Sequence, residues 1–150
     1  MTLNESIVEE AALNWFEELG YTKAHGPYLA PGEPESEREG FDAVVLVGRL
    51  RAAIWRLNAD IPDEAKDEAL RQVLRVATPS LIQTNRAFHT MLRDGVAVEY
   101  QRPDGTIAGG HVRLLDYVDV NANDWLVVNQ YTVIEGQHKM KMASSASSRW

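Results

Sequence analysis

The chain has 150 residues, 45% of them hydrophobic and 25% charged, enough for one domain with a buried core. It has no cysteine, which excludes a disulfide framework, thiolate chemistry and a cysteine zinc site. No apolar run approaches the ~18 residues that span a bilayer, and the start is acidic where a signal peptide would be basic and then apolar, so a soluble, cytoplasmic protein is expected.

The net charge of −7 sits entirely in residues 1–40, which hold nine acids and two bases; residues 41–150 hold thirteen of each. That balance gives no global pull on a polyanion and disfavours free-standing nucleic-acid binding.

In chain order, residues 4–19 read as an amphipathic helix, because Val8, Ala11, Ala12, Trp15, Phe16 and Leu19 recur at three- and four-residue steps. Asn4 or Ser6 suits the N-cap, Ser6 with Glu9 fits a capping box, and Gly20 stands where a left-handed C-terminal cap belongs. The early glutamates also suit the positive end of the helix dipole. Residues 21–40, punctuated by Gly26-Pro27, Pro31-Gly32 and Pro34, read as a long, acidic, solvated loop.

Val44, Val47, Leu50, Ile54 and Leu57 keep helical spacing over Phe41 to Asn58, with Gly48 implying close packing against another backbone. Pro62 opens the next helix, with acids early and Arg71 and Arg75 late. Its start, Pro62-Asp63-Glu64-Ala65-Lys66, contains a Pro-Asp and a Glu-x-Lys. Five consecutive residues at a helix start cannot converge two carboxylates on one cation, so this run is a decoy. Thr78-Pro79 then opens a helix through Leu92.

Val96 to Tyr100 alternates as a strand, Pro103-Asp104-Gly105 marks a tight turn, Gly109-Gly110 suggests a bulge or bend, and Val112 to Val118 forms a further strand. The most strand-like run is Trp125 to Ile134. Strict alternation puts Trp125, Val127, Tyr131 and Val133 on one face and Leu126, Val128 and Ile134 on the other. Both faces are apolar, the pattern of an interior strand. Strands 96–100, 111–118 and 125–134, joined by short connections, predict an antiparallel meander packed on helices. After His138 the run Lys139 to Trp150 loses periodicity and is expected to form a disordered tail.

Val128-Asn129-Gln130-Tyr131-Thr132-Val133-Ile134-Glu135-Gly136-Gln137-His138 resembles the run leading into the nuclease motif of the restriction (R) subunit of type I restriction-modification enzymes. Leu3 to Phe16 with Leu19-Gly20-Tyr21, Asn85 to His89 and Gly95 to Tyr100 resemble the same subunit in the same order, so that the likeness covers residues 3–138. The predicted elements together give an α+β fold, with N-terminal helices packed on a small, mainly antiparallel sheet. The resemblance implies an incomplete restriction-endonuclease-like domain of the PD-(D/E)xK type over residues 1–138, with a non-family tail over 139–150.

Glu9 is the position similar to the first-helix glutamate that faces the metal in such nucleases, and is the one candidate catalytic residue. In the intact family protein the resemblance implies Mg2+-dependent DNA cleavage coupled to ATP-driven translocation, with DNA and the modification and specificity subunits as partners. The family's Arg-Pro-Asp and its strand-borne Glu-x-Lys have no counterpart here. Glu135 and Lys139 are four apart, and no Walker A run is present. The chain alone is therefore expected to bind no metal or nucleotide cofactor and to be inactive.

A change of reading frame or an artificial boundary after His138 would account for the loss of likeness, as would a short natural variant. The alternative reading is a non-catalytic interaction module that binds restriction subunits or forms a homodimer through the unpaired edge of strand 125–134. A metal hydrolase built on His25, His89, His111 and His138 is disfavoured, because no pair has ligand spacing.

Overall fold

The computed structural model describes residues 4–75 and 80–147, and within them all side chains except those of residues 81, 135 and 140–147. The chain forms two compact units, Met1–Arg49 with Asp124–Trp150, and Leu50–Asn123. No helix of the described residues is long and apolar enough to cross a membrane.

In the first unit, α1 (Glu5–Glu18) begins at Asn4, whose side chain accepts from the Ile7 amide at 3.0 Å. It ends before Gly20, where φ is +91°. Asn4, not Ser6, is thus the cap; the Ser6 hydroxyl donates to Asn4 Oδ1. Phe16 stacks edge-on to Tyr21, which packs against Trp125. β1 (Thr22–His25) pairs in parallel with β4 (Leu126–Glu135), Thr22 opposite Leu126 and His25 opposite Asn129. A 3-10 turn, Gly26–Leu29, follows β1.

β5 (His138–Ser147) pairs antiparallel with the other side of β4 across a two-residue turn, Gly136-Gln137, with φ of +59° at Gly136. A glycine at the first central position is what the tight hairpin turn of type II′ requires. Leu29, Leu46, Leu126, Val128 and Tyr131 form the buried cluster, with Ala24 and Val133 against it. Each such buried aliphatic side chain contributes roughly 1.5–3 kcal/mol.

β4 is interior, as its two apolar faces indicate, but its neighbours are β1 and β5 and not the strands of a meander. The region 21–40 is not one loop, since it contains β1 and the 3-10 turn. Residues 139–147 were expected to be structureless, yet they form β5, because the ladder along β4 supplies backbone partners that the side chains do not have to provide; residues 148–150 lie outside the described residues. β5 also takes the side of β4 on which the homodimer reading depended.

In the second unit, the part of α2 (Val47–Leu57) beyond Arg49 buries Leu50, Ala53, Ile54 and Leu57, one helical stripe. The helix starts at Val47, later than the spacing from Val44 implied, and a Cβ on Gly48 would meet nothing within 4 Å, so that glycine marks no close approach. α3 (Asp63–Leu74) buries Ala65, Ala69, Leu70 and Val73 and packs on the hairpin β2 (Val96–Gln101) and β3 (Ile107–Val112). α4 (Leu81–Asp94) leads into β2 through Gly95 at φ +82°; the Thr78-Pro79 cap lies outside the described residues.

Asn58, buried, donates to the carbonyls of Ile54 and Arg113 and accepts from the Arg113 amide, each at 2.8 Å. Gly109 and Gly110 form no bulge but sit in regular register opposite Glu99 and Val98. At Gly110 a Cβ would lie 3.3 Å from the Tyr100 ring, so its bareness accommodates that aromatic. The strand foreseen at 112–118 ends at Val112; the segment beyond it is irregular and organised by Asp116.

Asp116 Oδ1 accepts from the amides of Asp119 and Val118, both at 2.9 Å. These amides, Asp119 first, hold its carboxyl below the usual carboxylate range. A depressed acid contributes stability that is complete above its unfolded pKa of about 3.9 and is lost as pH falls through the lower folded value. Asp116→Asn is expected to flatten the acid limb of the stability–pH curve below about pH 4, checked by urea midpoints; an unchanged limb would assign the acid sensitivity to other carboxyls.

Candidate functional site

Polar chemistry in the first unit gathers where β4 stops being apolar. Asn129 and Gln130 interrupt the run Leu126 to Ile134. Gln130 is the described non-glycine residue with positive φ, +54°. A left-handed residue inside a strand is uncommon and costs on the order of 1–3 kcal/mol unless its surroundings hold it.

Two features hold Gln130. Its side-chain nitrogen donates to both oxygens of Glu9 on α1, at 2.9 and 3.0 Å. The chain leaving β1 crosses close over its backbone at Gly26, where a Cβ would lie 2.6 Å from the Gln130 carbonyl oxygen and 2.7 Å from that of Asn129. Next to it, His25 Nδ1 lies 2.8 Å from Asn129 Oδ1, and the imidazole and the Tyr28 ring pack edge to face at 5.1 Å.

A cleft of about 880 Å3 opens alongside, lined by Glu10 and Leu13 of α1, residues 22–25 of β1, and Tyr28, Glu35, Arg49 and Asn129 among others. Arg49 grips both oxygens of Glu37, through Nε at 2.6 Å and Nη2 at 2.8 Å, and reaches Asp124 through Nη1 at 2.8 Å. The hydrogen bonds to Glu37 lead in raising its pKa further above its ordinary value, so it is a fixed cation. Lys23 is paired with Glu17.

Of the residues singled out in the sequence, Glu9 joins this arrangement, and so does His25 from the disfavoured histidine set. Its partner Gln130 was missed, although a polar pair inside an apolar strand was a readable signal. The decoy lies at the start of α3, where Lys66 is buried, 3.1 Å from Asp63 and 5.6 Å from the centre of the Trp55 ring. Asn85, Arg86 and His89 lie exposed on α4.

The four histidines are spread over β1, α4, β3 and β5. Among the described residues no group of three or more His, Cys, Asp or Glu side chains could hold a metal ion. Mg2+ takes near-octahedral oxygen ligation, usually through one or two carboxylates with water and phosphate. Glu9 offers one carboxylate, and both its oxygens already accept from an amide. The described residues do not fit that ion.

The family described as Type I restriction enzyme R protein N terminus matches residues 2–142. The chain is 32% identical over 131 residues to the type I restriction enzyme HindI endonuclease subunit of Haemophilus influenzae, a match covering 87% of this chain and 12% of that protein. It is 32% identical over 132 residues, with the same coverage, to the type I restriction enzyme MjaIXP endonuclease subunit assigned in Methanocaldococcus jannaschii. The chain thus spans a small fraction of the length of the curated relatives it matches. No solved structure matches it.

Proposed function

Because the chain belongs to the Type I restriction enzyme R protein N terminus family, we propose that it is the opening part of an endonuclease subunit, a scaffold that presents Glu9 to a cleavage centre it does not complete. The observation that carries this reading is the family match over residues 2–142, nearly the whole chain. Glu9 supports it as well, since it is turned onto β4 and held there by Gln130.

In the whole subunit the centre would hydrolyse DNA phosphodiesters with Mg2+, coupled to ATP-driven translocation. DNA and the modification and specificity subunits would be its partners. The PD-(D/E)xK character of the domain belongs to this proposal. In-line attack on a phosphodiester needs carboxylates that converge on the ion and a group to position water, and this chain offers the carboxylate of Glu9.

The test is plasmid cleavage in Mg2+ by the purified 150-residue chain and its Glu9→Ala variant, each with folding checked by circular dichroism. Intact supercoiled plasmid in both is the expected result. Cleavage by the unaltered chain that Glu9→Ala abolishes would mean that a complete centre is present and would overturn the reading.

A further inference from the structure

The cleft beside α1 and β1 adjoins a second cavity of about 260 Å3 lined by Tyr28, Glu33, Pro34 and Glu35, with Tyr28 and Glu35 lining both. Leu13, Ala24 and Leu29 give the larger cavity apolar lining. Tyr28 is 59% exposed, and its ring packs against His25 in an edge-to-face contact. Much of Tyr28 is therefore open to whatever enters.

The charges on these walls are uneven. Both cations, Lys23 and Arg49, are already paired, with Glu17 and with Glu37 and Asp124. Glu10 and Glu35 have no cation among the described residues. A phosphate would meet repulsion and no unpaired donor cation. A neutral apolar ligand would strip water from carboxylates without replacing it. A cation on an aliphatic stem suits these walls in kind: a stem can cover the leucines, and a charged head can pair with a carboxylate and pack on an aromatic ring.

We propose that the paired cavities bind the lysine or arginine side chains of a basic peptide segment, one side chain in each, with Tyr28 as the partition between them. The cleft lies alongside the Glu9–Gln130 pair, but the groups that would recognise the cation, Tyr28, Glu10 and Glu35, have no part in the nuclease reading.

The probe is a synthetic peptide of alternating Lys, Ala and Arg, titrated into the full 150-residue chain by calorimetry, beside its Lys/Arg→Glu counterpart and a DNA duplex. Binding with a Kd on the order of 10–100 µM is expected for the basic peptide alone. Tyr28→Ala and Glu35→Gln, both exposed positions, should each weaken it about tenfold, and Tyr28→Phe should restore it. Glu64→Gln, an exposed carboxylate of the second unit, should leave it unchanged. Equal weakening by Glu64→Gln, or no weakening by the cleft variants, would reduce the binding to diffuse charge attraction and overturn the proposal. A duplex that binds and competes with the peptide would assign the cleft to nucleic acid and overturn it equally.

Discussion

Replacing Arg38 with alanine is expected to lower the stability of the first unit by about 3 kcal/mol, measured by urea unfolding at pH 7. Arg38 is 5% exposed. Its guanidinium donates to three carbonyls, those of Ala43 at 2.8 Å, Thr132 at 2.7 Å and Phe41 at 2.8 Å, and lies 4.2 Å from the centre of the Tyr131 ring. Hydrogen bonds from a charged donor contribute roughly 1.5–3 kcal/mol each, although bonds sharing one donor group do not add. Phe41 O also accepts from the Ile134 amide, so the same fork fastens residues 38–43 to β4.

Arg38→Lys separates charge from geometry. An ammonium keeps the cation but cannot span three carbonyls set around a planar fork, so a loss of about 2 kcal/mol is expected. A loss below about 1 kcal/mol for Arg38→Ala would mean that water replaces the guanidinium at all three oxygens.

The second large effect is expected at Gly26. A Cβ there would lie 2.6–2.8 Å from the Gln130 carbonyl group and the Asn129 oxygen, which are backbone atoms of an interior strand and cannot swing aside. Gly26→Ala should destabilise the first unit by about 3 kcal/mol through overpacking. It should also release the contacts downstream of the crossing, seen as a shift of the Gln130 side-chain amide resonances as that group leaves Glu9. Gly109→Ala is the control: its Cβ would meet nothing within 4 Å, so the change should stay under about 1 kcal/mol and favour the folded state. Similar losses for both variants would remove the steric account.

Much of the helical part of this fold is legible in the residues. Three- and four-residue spacing with Asn4 and Gly20 at the ends is enough to locate α1, and Pro62 with its acids locates the start of α3. The interior character of β4 also follows from its two apolar faces. Its detailed facing does not.

Strict alternation separates Val128 from Tyr131, yet both lie in one buried cluster with Leu126, because the left-handed residue at Gln130 resets the parity of the strand. No periodicity carries that information. β1 is equally unreadable: Thr22-Lys23-Ala24-His25 has one β-branched residue and becomes a strand because Leu126–Asn129 offers it a ladder. Arg38 stands among Glu35, Glu37 and Glu39 and looks solvated, but convergence of three carbonyls buries it. At the candidate site, resemblance singled out Glu9, whereas the amide that fixes it comes from a residue 121 positions away.

The parallel pairing of Thr22–His25 with Leu126–Asn129 bears on the order in which the molecule forms. The first unit is discontinuous in sequence, its halves separated by the whole of Leu50–Asn123, whereas the second is contiguous and includes a local hairpin. Contacts of such long range carry a large loop-closure entropy and are slow to form. Synthesised from its N-terminus, the chain exposes Leu29 and Leu46 until Leu126 and Val128 emerge to cover them, by which time every residue of the second unit has been made. Formation of that inserted unit shortens the loop that the last step must close.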